Sequence, residues 1–343
     1  MNNSRILLIY TGGTIGMGKN PQTGALEPLN FSNLVQNTPE FQYLQTEIDV
    51  CQFDHPIDSS NMCPERWAEL VNMISSRYND YDGFVIVHGT DTMAYTASAL
   101  SFLLENLTKP VILTGSQLPI GQLRTDGKEN LVTSIELAAM RNEAGVPMVP
   151  EVCIYFSGRL LRGNRSTKQN ADGFNAFDSF NYPHLCEAGV NFSFNKQLIF
   201  QPNFTRPMRA HTAMNNQVMI LSLFPGIEEH LVARMLDIDG LKNIVLRTYG
   251  SGNAPQQPWL LDLLRHTTDR GINVVNISQC VTGAVEMARY DTGFQLEDAG
   301  VISGYDSTVE AAVTKLMYLQ ARYNDSDVIR DLMNKSLRGE ITL

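Results

Sequence analysis

Residues 84–116 read FVIVHGTDTMAYTASALSFLLENLTKPVILTGS. Phe84–Val87 is a short, wholly apolar run and so predicts a strand buried on both faces. Thr92–Leu107 has the length of a helix, and Val111–Thr114 is a second apolar run. Strand, helix and strand in that order predict a parallel pair joined by a right-handed crossover. The same grammar extends in both directions. Arg5–Tyr10 and Ile48–Phe53 read as strands ahead of it, and Val152–Phe156 as one after it. A helix is expected from Pro64 to Tyr78, where Pro64 suits a first turn and Trp67, Leu70, Val71 and Ile74 share one face. Another is expected over Asp126–Arg141. The fold class is therefore α/β, with a mostly parallel sheet flanked by helices.

At 343 residues the chain exceeds what one core usually supports, roughly 250–300 residues, so two domains are expected. Residues 191–211 are irregular, with Pro202, Pro207 and several asparagines, and read as a linker. The expected division is 1–190 for a larger N-terminal domain and 212–343 for a smaller C-terminal α/β domain. In the latter, Val218–Phe224, Asn243–Arg247 and Asn273–Ser278 read as strands. Helices are expected near Glu228–Leu236 and Gln257–Arg270, then over Thr308–Tyr323 and Asp327–Leu337.

The net charge is −10, the wrong sign for a phosphate-binding surface, so no nucleic-acid partner is expected. Cysteines stand at 51, 63, 153, 186 and 280, an odd number without CxxC spacing. Neither a disulfide framework nor a metal site is suggested, and no HExxH pattern occurs. No apolar run reaches membrane-spanning length, and the N-terminal run is too short for a signal-peptide core. A reduced cytoplasm and no membrane partner are the expectation.

The informative residues follow the strands: Thr11-Gly12-Gly13-Thr14, then Asp54 to Ser60, then His88-Gly89-Thr90-Asp91-Thr92, then Gly115-Ser116-Gln117. In a parallel sheet these loops open on one edge, where ligands bind. Turn formation and helix capping explain any one of them. Four hydroxyl-bearing loops on one edge point to a site. Two glycines before Thr14 permit a tight turn and close approach to a ligand. A phosphate-loop reading of Gly13 to Asn20 fails. Asn20 replaces the metal-binding hydroxyl, and Asn20-Pro21-Gln22-Thr23-Gly24 does not start a helix. A GxSxG nucleophile elbow is absent.

TGGTIGM at 11–17 with HGTDTMAYTASAL at 88–100 resembles the bacterial asparaginase–glutaminase family, most closely its cytosolic type I L-asparaginases. LTGSQLP, RGNRSTK, ADGF and TYGSGNAP extend the resemblance over nearly the whole chain. It implies a hydrolase that converts L-asparagine and water to L-aspartate and ammonia, without a cofactor. It implies Thr14 as the nucleophile that forms an acyl-enzyme, and Thr90, Asp91 and Lys168 as the second catalytic group. Backbone N–H groups of Gly13 and Thr90 are candidate oxyanion donors. The substrate contacts it implies are Asp58, Ser59 and Ser60, with Thr90, Asp91 and the carbonyl of Ser116. Asn253 is either a turn residue or a contribution to a neighbouring subunit's site, in a homo-oligomer (dimer or tetramer). Some members bind asparagine at a regulatory site, which would fall on Thr167, Arg247 and Cys280. The plainer reading of Cys280 is a small buried apolar residue.

One departure stands out. The family's tyrosine on the loop after TGGT has no counterpart between Ile15 and Phe31, and Ala25 takes its place. The group that activates Thr14 is left open among Tyr10, Tyr43, water and Lys168. The rival readings are a glutaminase-leaning amidohydrolase, a subunit acting on an amide attached to transfer RNA, and an asparagine sensor on the same scaffold. The transfer-RNA reading expects an extra N-terminal domain ahead of the first strand.

Overall fold

The computed structural model describes residues 4–19, 26–28, 31, 39–287 and 291–343. Ala25 and the run from Asn20 to Gly24 lie outside the described residues. The chain divides into two compact units, Met1–Thr212 and Ala213–Leu343.

The first unit is built on eight strands: β1 Ser4–Gly12, β2 Thr46–Ile57, β3 Gly83–Val87, β4 Val111–Thr114, β5 Val152–Phe156, β6 Arg159–Arg162, β7 Cys186–Ala188 and β8 Phe192–Phe194. Their order across the sheet is β8-β7-β6-β5-β4-β3-β1-β2. β1 runs parallel to both β2 and β3, and β3, β4 and β5 are parallel in turn. β6, β7 and β8 extend the sheet as antiparallel strands. Every residue of β3, β4 and β5 is buried. Such burial on both faces is why these strands are written as unbroken apolar runs. Each buried Ile, Leu or Val stabilises the fold by roughly 1.5–3 kcal/mol before entropy is counted.

Helix α1, Pro64–Ser75, begins with Pro64 and buries Trp67, Leu70, Val71 and Ile74, as its spacing predicts. Helix α2 spans Met93–Leu103 and α3 spans Gly127–Ala139. α2 stops short of the expected Leu107. Leu104–Glu105 instead pairs with Arg209–Ala210, and Asn106 turns the chain with φ 56°. The Asn106 amide donates to the carbonyls of Asn203 and Arg206 and accepts from the Asn203 N–H. Residues 191–211, expected as a linker, are thus held in the first unit. Phe192–Phe194 is an edge strand of the main sheet, and the rest is fastened to the end of α2. The fastener is the Asn106 side chain, expected within a helix, and it grips backbone groups of Asn203 and Arg206.

The second unit carries a parallel sheet of β9 Val218–Ser222, β10 Asn243–Thr248, β11 Asn273–Ser278 and β12 Ile302–Ser303, in sequence order. Its helices are Glu229–Leu236, Pro258–Asp269, Asp291–Asp298, Val309–Gln320 and Ser326–Met333. The helix Asp291–Asp298 and the strand Ile302–Ser303 escape a sequence reading because both are short and carry few apolar residues. Ion pairing also reaches the interior here: Lys315 Nζ lies 2.6 Å from Glu340 Oε1, with both side chains buried.

Candidate functional site

The order β2-β1-β3-β4-β5 makes β1 the strand from which the chain departs in both directions. The carboxyl ends of β1 and β3 therefore flank the point where the strand order reverses, the usual position of a ligand crevice in such sheets. The turn after β1 is threaded tightly into it. Gly12 has φ 128° and Gly13 φ 91°. A Cβ on Gly12 would lie 2.0 Å from the Ile57 carbonyl oxygen, and one on Gly13 2.6 Å from the Gly89 Cα. Only glycine fits either place. The chain then enters a single 3-10 turn, Thr14–Gly16, which leaves Thr14 half-buried.

Tyr10 is buried in the core. Its ring stacks on Phe31 at 4.3 Å, and its hydroxyl lies beneath Gly16, where an added Cβ would come within 2.3 Å. Burial pushes its pKa up to about 12, so it keeps its proton. Tyr43 is 80% exposed.

The loop after β3 meets Lys168. Its ammonium donates to Thr90 Oγ1 at 2.9 Å and to Asp91 Oδ1 at 2.6 Å. Lys168 sits on the short strand Thr167–Lys168, paired with Phe177–Asp178, and Phe177 packs on Phe156 at 5.2 Å between ring centres. The Asp91 side chain is 65% exposed, so the pair adds little to stability, of order 1 kcal/mol or less. With Lys168 as donor, the Thr90 proton points to Gln117 Oε1 at 3.4 Å. Gln117 is oriented because its own amide nitrogen donates to the carbonyls of Ala171 and Gly173.

Asp58 caps the 3-10 turn Ser59–Asn61 by accepting both the N–H and the hydroxyl of Ser60, each at 2.8 Å. These bonds hold its carboxyl below the usual carboxylate range. Ser59 is buried, and its carbonyl accepts from the Thr92 hydroxyl at 2.7 Å. A Cβ on Gly89 would lie 2.6 Å from Ser59 Oγ, so the loops after β2 and β3 are in contact. The Ser116 hydroxyl donates to the Leu118 carbonyl at 2.6 Å and is used within its own loop. The structure therefore brings together the loops carrying Thr14, Ser59, Thr90, Asp91, Ser116 and Lys168.

His88 supports the crevice from below. It is fully buried, with Nδ1 2.6 Å from the Gly89 carbonyl and Nε2 2.9 Å from Thr96 Oγ1. A carbonyl only accepts, so Nδ1 carries the proton and Thr96 donates to Nε2. Trp67 Nε1 donates to the same Thr96 oxygen at 3.0 Å. Burial pushes the His88 pKa down to about 4. Unfolded, the ring returns to about 6.5, so between these values the unfolded chain binds a proton that the folded chain does not. This contribution to stability is complete above the unfolded value and is lost as pH falls towards 4. Urea unfolding is expected to show a loss from this group approaching about 3 kcal/mol between pH 7 and pH 4. The His88→Gln protein is expected to lack that part of the slope. An unchanged slope would refute the assignment.

The sequence alone carries no sign of a role for His88, Gln117, Asp126 or Asn130. Their contacts join separate loops and helices, and no local spacing signals them.

Three of the remaining candidates lie in the second unit. Arg247 is on β10, and its Nε is buried without a hydrogen-bond partner among the described residues. Cys280 follows β11 and is exposed, contrary to the buried apolar reading. The turn after β11 presents it to solvent, where its N–H donates to Ser278 Oγ at 2.9 Å. Asn253 closes a turn with Tyr249 through two backbone bonds of 2.9 and 2.8 Å. Thr167 lies in the first unit, opposite Asp178. Among the described residues no group of three or more His, Cys, Asp or Glu side chains could hold a metal ion. No helix among them is long and apolar enough to cross a membrane.

Residues 5–200 match the family model described as asparaginase, N-terminal, and residues 217–333 match the glutaminase/asparaginase C-terminal domain. L-asparaginase 1 of Escherichia coli K12 is 44% identical, covering 100% of this chain and 99% of the relative. The human 60 kDa lysophospholipase is 40% identical over 98% of this chain, which spans 61% of that protein. The crystal structure of L-asparaginase I from Vibrio cholerae superposes with a TM-score of 0.90 at 41% identity, covering 99% of this chain and 100% of that one.

Proposed function

The chain belongs to the asparaginase family, and from that premise we propose that it hydrolyses the side-chain amide of L-asparagine through an acyl-enzyme on Thr14. The observation that carries the reading is the Lys168 ammonium bonded to both Thr90 and Asp91 beside the glycine turn that presents Thr14. The Thr14 oxygen adds to the amide carbon, and the carbonyl electrons move to oxygen. The Gly13 and Thr90 N–H groups receive that oxyanion. The C–N bond then breaks, and the nitrogen leaves as ammonia with the proton that Thr14 gives up. Water adds to the resulting ester beside the Thr90 hydroxyl, and L-aspartate departs as Thr14 regains a proton. Lys168 steadies the charge on Thr90 Oγ1 during proton transfer.

Asp58, Ser59 and Ser60 supply one wall for the amino-acid end of the substrate. Ser59 and nearby N–H groups suit the α-carboxylate, and Asp91 suits the α-ammonium. Arg247 and Cys280 are retained as candidate regulatory residues. In support, Arg247 Nε is buried and unpartnered among the described residues, and Cys280 is open to solvent. The functional unit is read as a homo-oligomer, supported by the exposed apolar side chains of Phe224, Leu231 and Ile238 in the second unit. A cytoplasmic location accords with five free thiols.

Steady-state ammonia release from free L-asparagine and free L-glutamine tests the substrate. One methylene in a fitted pocket is worth about 10- to 200-fold, so kcat/KM is expected to favour asparagine by that factor. A reversed ratio would make the enzyme a glutaminase. Tight asparagine binding without turnover would favour a sensor.

A further inference from the structure

We propose that Asp126 is a positioning residue that orients and polarises the Ser116 carbonyl towards the leaving amide nitrogen. The inference rests on the asparagine-hydrolysis reading and assigns a role within that site.

Asp126 precedes helix α3 in the N-cap position, yet its side chain makes no capping bond to its own helix. The Gly127 N–H is taken instead by Thr125 Oγ1 at 2.9 Å. The Asp126 carboxylate reaches back to the loop after β4. It accepts the Gln117 N–H at 3.1 and 3.0 Å and the Leu118 N–H at 3.2 Å. Asn130, fully buried, donates to it at 3.2 Å and to the Gly115 carbonyl at 3.0 Å, and accepts the Ser157 N–H. A cap of ordinary use has been diverted to hold a loop.

The Gln117 N–H and the Ser116 carbonyl belong to one peptide group. No peptide bond among the described residues is cis, so the two point in opposite directions. A carboxylate gripping the N–H turns the carbonyl away from Asp126. Two neighbouring carbonyls of the loop are engaged, Gly115 by Asn130, and Leu118 by Ser116 and Thr125. Among the described residues, none donates to the Ser116 carbonyl, although Ser116 is only 2% exposed. A buried carbonyl without a donor is costly and calls for one. The loop that bears it touches the catalytic group, since Gln117 Oε1 meets Thr90 Oγ1. Negative charge at one end of the peptide also strengthens the acceptor at the other. The fitting donor is the –NH2 of the substrate amide. The product carboxylate has no N–H and is repelled.

The test compares L-asparagine with L-aspartic acid β-methyl ester, which has the same amino-acid end and no N–H on its leaving group. Aspartate formation is followed for both. In Asp126→Asn, kcat/KM for asparagine is expected to fall about 10- to 100-fold, the worth of a charge-assisted hydrogen bond. Ester hydrolysis is expected to fall by less than about 3-fold. Should that variant not fold, Asp126→Glu, which keeps the charge but displaces it, is expected to show a smaller loss with the same preference. Equal losses on amide and ester in either folded variant would overturn the inference and leave the activity standing. A wild-type protein that hydrolyses no asparagine would overturn both.

Discussion

Replacing Thr14 by alanine is expected to lower ammonia release from L-asparagine on the order of 10,000-fold or more, in a protein that still folds. The size follows from the role. A covalent nucleophile cannot be replaced by its neighbours, and removing one member of a catalytic unit costs about as much as removing the unit. Folding should survive because Thr14 is half-buried on a 3-10 turn whose shape depends on Gly12 and Gly13. Equilibrium urea unfolding should shift by less than about 1 kcal/mol. Thr14→Ser, which keeps the hydroxyl, should retain measurable turnover. A folded alanine variant with a tenth or so of wild-type activity would remove Thr14 from the mechanism.

Lys168→Met is expected to reduce kcat on the order of 100- to 10,000-fold, the range for losing a proton-transfer group. Methionine has a similar length and keeps the packing of the aliphatic stem. It removes the donor to Thr90 Oγ1 and leaves Asp91 unpaired. Asp91 is largely exposed, so water replaces its partner and the stability cost should stay below about 1 kcal/mol. The kinetic loss should therefore fall on kcat more than on KM. A variant that raised KM alone would make Lys168 a substrate-binding residue.

The base that prepares Thr14 shows how a sequence can mislead. Tyr10 stands four residues before Thr14 and is one of the candidates that the sequence leaves open. From Ile6 to Gly12, however, β1 is buried on both faces, and the Tyr10 ring packs in the core against Phe31. Its raised pKa is a consequence of that burial. The linker expected at 191–211 failed for a related reason. Asparagine and proline mark a chain without its own periodic structure, which is not the same as a chain without partners. Asn106 and Asn203 lie far apart in sequence, the first expected within a helix and the second in a loop. Only the fold brings the Asn106 amide to the Asn203 backbone and makes a clasp.

What the sequence determined by itself is the class of fold and the edge of the sheet where chemistry would gather. Strands buried on both faces must be continuously apolar, helices beside them must repeat at 3.6 residues, and the residues between can be polar only at the ends. Those rules act over a few neighbouring residues and are legible in FVIVHGTDT and RILLIYTGGT. The resemblance of those motifs supplied the family. What the tertiary structure alone decided is which polar groups touch. Lys168 reaches Thr90 across 78 residues, and Asp126 abandons its helix to hold the loop that presents Ser116. Apolar strands look alike to a pattern reading, so the pattern carries little about their order. The order of strands sets which loops adjoin, and that in turn sets which hydrogen bonds exist.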